Sequence, residues 1–140
     1  LETNINLHKY ADNLISEDAL KKRIDDFEDA ESKEVYQMAI HGDEDTIESL
    51  VGAFFNNLNL NYDVKADFEL EDEILYIDLD LPEIEDFANQ YPTLDKNKTV
   101  IKKKTNAMLK EEYARSVLSL SIFLAANIFN MTSYIEKIII

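Results

Sequence analysis

Residues 62–82 read YDVKADFELEDEILYIDLDLP. Tyr62, Val64, Ala66, Phe68 and Leu70 alternate with Asp63, Lys65, Asp67 and Glu69. Period two is the repeat of a strand, whose successive side chains point to opposite faces. A short acidic link follows, Glu71 to Glu73, and then Leu75, Ile77, Leu79 and Leu81 alternate with Tyr76, Asp78 and Asp80. Two such runs joined by so short a link predict an antiparallel β-hairpin with one buried face and one solvent face. The solvent face is mostly carboxylate. Pro82 cannot donate to a ladder and ends the second strand.

Upstream, residues 1–60 read as a helical subregion. Ser16 is a good N-cap, Glu17 and Asp18 favour the helix dipole, and Leu20, Ile24 and Phe27 fall on one face. A second helix spans Ser32 to Ile40, with Val35, Tyr36, Ala39 and Ile40 inward, and Gly42 stops it. Asp43 or Asp45 caps a third, whose stripe is Ile47, Leu50, Val51, Phe54 and Leu58. The run Ala39 to Val51 echoes one ankyrin unit, but a single copy amounts to a helical hairpin.

Downstream, residues 83–99 read as a connection containing Pro92 and the polar stretch Thr93 to Thr99. A helical pattern resumes near Thr99 and runs to about Asn130. Its second half, Val117 to Met131, is apolar on nearly every face, which marks a helix central in a core or in a membrane. Fifteen residues fall short of the roughly 20 that span a bilayer. The expectation is a long buried helix packed on Val64, Phe68, Leu75, Ile77, Leu79 and Leu81, which Phe123→Asp would unfold. Ile135 to Ile140 supplies a closing strand that joins the hairpin. The fold class is therefore α+β, with residues 1–140 as one domain. Leu1 and the run Ile138 to Ile140 read as cut ends, as of a domain excised from a longer chain.

The chain has 140 residues, 29 acidic and 14 basic, for a net charge of -15. Without Cys it has no disulfide scaffold, no thiolate zinc site and no cysteine nucleophile. Two glycines cannot build a glycine-rich phosphate loop. The charge is lopsided: residues 1–95 carry 26 acidic and 6 basic side chains, residues 96–140 only 3 and 8. An acidic body repels phosphates and anionic lipid, so neither nucleic acid nor membrane is an expected partner. No secretory signal opens the sequence, and the expected location is cytoplasmic.

The densest acidic cluster is Asp78, Asp80, Glu83, Glu85 and Asp86. Hard divalent cations want oxygen ligands, so Asp78, Asp80 and Glu83 are the candidate metal residues, against a solvated face as the plainer reading. The spacing is not that of an EF-hand, because Pro82, Glu83 and Asn89 fall at its fifth, sixth and twelfth positions. A metal-dependent nuclease would place Glu-x-Lys on a neighbouring strand. The one instance, Glu31-Ser32-Lys33, sits in helical context ahead of the strands. His8 and His41 lie far apart with no nucleophile motif, and His41 reads as a helix C-terminal residue. Lys96, Lys98, Lys102, Lys103, Lys104 and Lys110 form the one basic tract, with no interleaved aromatic to stack on bases. It reads as pairing with the acidic body, or as the plain solvation of a helix start, ahead of a phosphate contact.

Three segments, IDLDLPEIEDF at 77–87, YARSVLSLSIFLAA at 113–126 and IFN at 128–130, resemble a domain of unknown function in uncharacterised multidomain bacterial proteins. The resemblance covers about residues 60–140. It implies a strand ending in Leu-Pro, a long apolar helix and a final strand, and it transfers no site residue. No catalytic residue and no cofactor follow from any of these patterns. The leading functional expectation is a non-catalytic protein-interaction or assembly module of a larger bacterial protein, working through a sheet edge on a protein partner or a second copy. The alternatives are part of a metal-dependent hydrolase or nuclease, with Asp78 and Asp80 near the metal, and an acidic DNA-mimic inhibitor. Against the last stands the basic Lys96–Lys110 tract.

Overall fold

The computed structural model describes residues 6–8, 17–25, 29–60 and 64–140. In chain order the elements are β1 (Asn6–His8), α1 (Glu17–Asp25), α2 (Ala30–Ile40), α3 (Glu44–Asn56), β2 (Lys65–Glu71) and β3 (Ile74–Asp80). A 3-10 turn (Ile84–Asp86), β4 (Gln90–Asp95), β5 (Lys98–Lys103), α4 (Asn106–Phe129) and β6 (Lys137–Ile139) complete it. The chain is α+β.

The expected hairpin is β2–β3, in register from Lys65 opposite Asp80 to Glu71 opposite Ile74. Its link is two residues rather than three, with Asp72 at φ +52°, a left-handed position that Asp tolerates better than most. Ala66, Phe68 and Leu70 face Leu75, Ile77 and Leu79 on the inner side, buried or half-buried, while Asp67, Glu69, Tyr76 and Asp78 stand in solvent. Tyr62 and Asp63, read as the start of the strand, lie outside the described residues.

The hairpin joins a four-stranded sheet in the order β1-β6-β3-β2. β6 is the closing strand expected from the isoleucines. It runs parallel to β3 and antiparallel to β1. The presence of β1 corrects the reading of residues 1–60 as purely helical. A three-residue strand cannot show a periodicity of its own, so its pairing is set by β6 (Leu7 opposite Ile138).

One core lies between the inner face of this sheet and the helices. Ile47 and Val51 of α3, Leu70, Leu75 and Ile77 of the hairpin, Ala125, Ile128 and Phe129 of α4, and Ile135 and Ile138 are all buried in it. Phe55 stacks on Phe68 with ring centroids 5.7 Å apart. Leu20 and Ile24 of α1 pack on Ile40 and Tyr36 of α2 in a smaller cluster. Ser16 and Phe27 of the expected first helix fall outside the described residues.

The helix starts are capped by side chains. Asp29 accepts from the Ser32 N–H at 2.7 Å, which holds its carboxyl below the usual range. Asp43 accepts from the Thr46 N–H at 3.1 Å, so Asp43 rather than Asp45 caps α3. Between α2 and α3, Gly42 adopts φ +81° under the ring of Tyr134, and a Cβ there would sit 2.6 Å from Tyr134 Cδ2. Beside it the buried Thr132 hydroxyl donates to the Ala39 carbonyl at 2.6 Å and accepts from the Tyr134 N–H at 3.0 Å. Burial and the carboxylate of Glu44, 3.1 Å from its hydroxyl, raise the Tyr134 pKa above its ordinary value. Gly42→Ala is expected to cost about 1–3 kcal/mol through backbone strain, with the ring clash in addition. A urea titration against the parent chain measures it, and Gly42→Ala together with Tyr134→Ala should recover the clash component but not the backbone one.

Two expectations change downstream. Residues 83–99 are not a bare connection, and no helix begins at Thr99: Gln90–Lys103 form a second hairpin, β4–β5, and α4 starts at Asn106 behind the Thr105 cap. The long helix is also not buried all round. Leu120, Leu124 and Ile128, with Ser121, Ala125 and Phe129, form the buried stripe. Leu118 (53% exposed), Ile122 (60%) and Phe123 (45%) face away from the core. A four-stranded sheet with α3 already on its inner face has room for only one side of α4, so the apolar residues on the other side meet water. Phe123 touches the core only at its rim, 6.5 Å centroid to centroid from Phe54. The expectation that Phe123→Asp unfolds the chain is therefore withdrawn.

Candidate functional site

Asp78 and Asp80 are exposed on the outer face of β3, opposite Asp67 and Lys65 of β2. Asp86 is turned back on its own 3-10 segment and accepts from the Glu83 N–H at 3.0 Å, and Glu83 and Glu85 are exposed. Among the described residues no three His, Asp or Glu side chains gather closely enough to hold a metal, so Asp78, Asp80 and Glu83 are not brought together as a ligand set. Glu31-Ser32-Lys33 lies in the first turn of α2, away from any strand ladder.

His41 is the C-cap of α2, and its Nδ1 meets the Gln37 carbonyl at 2.6 Å, a second contact to a carbonyl that already accepts the His41 backbone N–H at 3.1 Å. His8 belongs to β1.

The lysine tract lies elsewhere than expected. It is not a helix start: Lys96 sits in the turn of the second hairpin, Lys98, Lys102 and Lys103 are on β5, and Lys110 is on α4. Lys104, the one nearly buried member, forms an ion pair with Glu112. Lys96, Lys98, Lys102 and Lys103 are exposed, and among the described residues none of them has an ion-pair partner. The base of the hairpin is tied down by the Lys104 N–H, which donates to the Asn89 carbonyl at 2.8 Å. Just before it, Phe87 packs edge-on against Tyr113 of α4 at 5.4 Å. Beyond that base the outer face of the hairpin carries Leu94 at 76% exposure and Ile101 at 71%.

Among the described residues the most exposed large apolar groups gather on two surfaces. One is the outer side of α4, where Leu118 and Ile122 stand one turn apart beside a groove of about 400 Å³ lined by Leu60, Glu112, Ser116, Ser119, Leu120, Phe123 and the Glu111-paired Arg115. The other is the second hairpin. No protein-family model matches the chain, and comparison with curated proteins and with solved structures returned no match. Among the described residues no helix is long and apolar enough to cross a membrane.

Sequence reasoning missed both surfaces. The hairpin had a signal in Thr99-Val100-Ile101, a β-branched triplet, and in Asn97, a residue that accepts the left-handed turn position. The exposed side of α4 had none, because a helix apolar all round carries no moment to say which side faces the core.

Proposed function

We propose that the chain is a non-catalytic protein-interaction or assembly module of a larger bacterial protein, acting in the cytoplasm. The observation that carries this reading is the exposure of Leu118, Ile122 and Phe123 on α4. Three large apolar side chains on adjacent turns, next to an apolar groove, form the kind of contiguous patch that soluble proteins keep for contacts. Scattered single hydrophobics would need no explanation, but these fall within six residues on the solvent side of one helix. Copies are expected to associate through this face.

Native mass spectrometry and analytical ultracentrifugation, with and without Mn²⁺, test the proposal. The expected result is concentration-dependent association without metal, returned to monomer by Ile122→Glu with little change in melting temperature. A monomer at every concentration that takes up Mn²⁺ stoichiometrically, and loses it on Asp78→Asn, would put the hydrolase alternative in its place.

A further inference from the structure

The β4–β5 hairpin has geometry that the α4 patch does not explain. Its two turn residues, Lys96 and Asn97, both have positive φ, +45° and +67°, so Asp95 and Lys98 close the loop as a bonded pair. The ladder then alternates. Thr93 with Val100, and Tyr91 with Lys102, exchange hydrogen bonds, while the main-chain groups of Pro92 and Leu94 on β4, and of Thr99, Ile101 and Lys103 on β5, point outward. The missing N–H of Pro92 therefore falls on the outer edge, and β4 is blunted as an acceptor of further strands. β5 has no such block. Among the described residues its sheet is two-stranded, and the outward groups of Thr99, Ile101 and Lys103 have no partner strand among them.

The other described hairpin shows what a protected edge looks like here. The outward N–H of Leu70 on β2 is met by Glu48 Oε1 at 3.4 Å, and the strand carries Asp67, Glu69 and Glu71. Lysines on an edge strand also deter pairing between like copies, which accounts for Lys98, Lys102 and Lys103 as guards. Guarding does not account for Ile101 and Leu94. These are diagonal neighbours on one face, with Pro92 opposite Ile101, and at more than 70% exposure they add an aggregation hazard rather than removing one.

We propose that β5 accepts an extended segment of a partner protein in which carboxylates alternate with apolar residues. The segment adds a strand by pairing with Thr99, Ile101 and Lys103. Its apolar side chains lie beside Ile101 and its carboxylates beside Lys98 and Lys102 on the opposite face. Charge decides the partner: residues 90–104 hold five Lys and one Asp in a chain of net -15. A nucleic acid would meet the repulsion of the remaining body and leave Leu94 and Ile101 unused. Among the described strands a second copy could offer only β2, whose pattern fits, but whose Phe68 and Leu70 are committed to its own core and whose Leu70 N–H is taken. This inference rests on the interaction-module reading and names the partner that a second surface of the module takes.

The test uses the full chain and a blocked peptide of alternating Glu and Val long enough to span β5, followed by calorimetry and amide hydrogen exchange. The expected result is salt-sensitive binding that slows exchange at Thr99, Ile101 and Lys103. Lys98→Glu with Lys102→Glu should weaken binding by roughly tenfold or more. Ile101→Pro should abolish it while Val100 stays protected, because the Ile101 N–H is not part of the β4–β5 ladder. Equal binding of a peptide of the same composition with its Glu residues in one block would overturn the strand-pairing proposal in favour of plain charge attraction. Binding to phosphatidylserine vesicles or to duplex DNA but not to the peptide overturns the proposal, as does concentration-dependent dimerisation lost on Ile101→Pro. If the peptide fails while Ile122→Glu still disrupts association, the hairpin assignment falls and the interaction module stands. If neither surface binds anything, both fall.

Discussion

Leu124→Asp is expected to abolish cooperative unfolding, while Phe123→Asp, one position earlier on the same helix, should melt within a few degrees of the parent chain. Leu124 is fully buried beneath α4, whereas Phe123 is 45% exposed. Truncating a buried leucine alone costs about 2–5 kcal/mol, and an unpaired carboxylate in its place adds several more. The total approaches the roughly 5–15 kcal/mol that holds a typical domain folded. At Phe123 the carboxylate reaches water, and the loss is confined to part of the ring's burial and its contact with Phe54, about 1 kcal/mol. Circular dichroism melts of the two variants separate the outcomes. If both unfold, the outer side of α4 is covered in the folded chain and the patch reading is wrong.

The second large effect is expected at Ile138. This residue is fully buried, opposite Leu75 of β3 on one side and Leu7 of β1 on the other. Ile138→Ala should lower stability by about 3 kcal/mol, within the usual range for isoleucine in a packed core. Ile139→Ala, at the half-buried neighbouring position, should cost under about 1 kcal/mol. Urea denaturation should show the midpoint shifting with an unchanged slope for Ile138→Ala, because the variant folds to the same surface. A falling slope would mean that β1 has detached along with the lost side chain.

What could be read from the residues follows from how each element announces itself. The hairpin at 65–80 alternates cleanly because one of its faces is wet, so both its existence and its inward set, Phe68, Leu70, Leu75, Ile77 and Leu79, were legible. The caps at Gly42 and Asp43 were legible because turn chemistry is local. The burial of α4 was not, since which side faces the sheet is decided by the area that the other elements leave free. The β4–β5 ladder was hidden by Pro92, which reads as a breaker, and by a turn that uses Lys96 where Gly or Asn is usual. Misplacing that ladder also misplaced the lysines, which turned an exposed edge into an imagined helix start. Asp78 and Asp80, weighed as metal ligands against the plainer reading of a solvated face, stand at ordinary outward positions of a half-wet strand.

The position of β6 has a consequence for the order of events during synthesis. This strand lies between β1 and β3, yet it is the last described element to leave the ribosome. The hairpin at 65–80 and the helices can form early from local contacts, but the sheet cannot close, nor β1 find a neighbour, until residues 137–139 have emerged. Closure then joins segments from opposite ends of the sequence, the kind of long-range pairing that slows folding. Through that interval α4 has no completed sheet against which to bury Leu124 and Ile128. Nascent chains stalled before residue 137 should therefore be the species that chaperones hold longest.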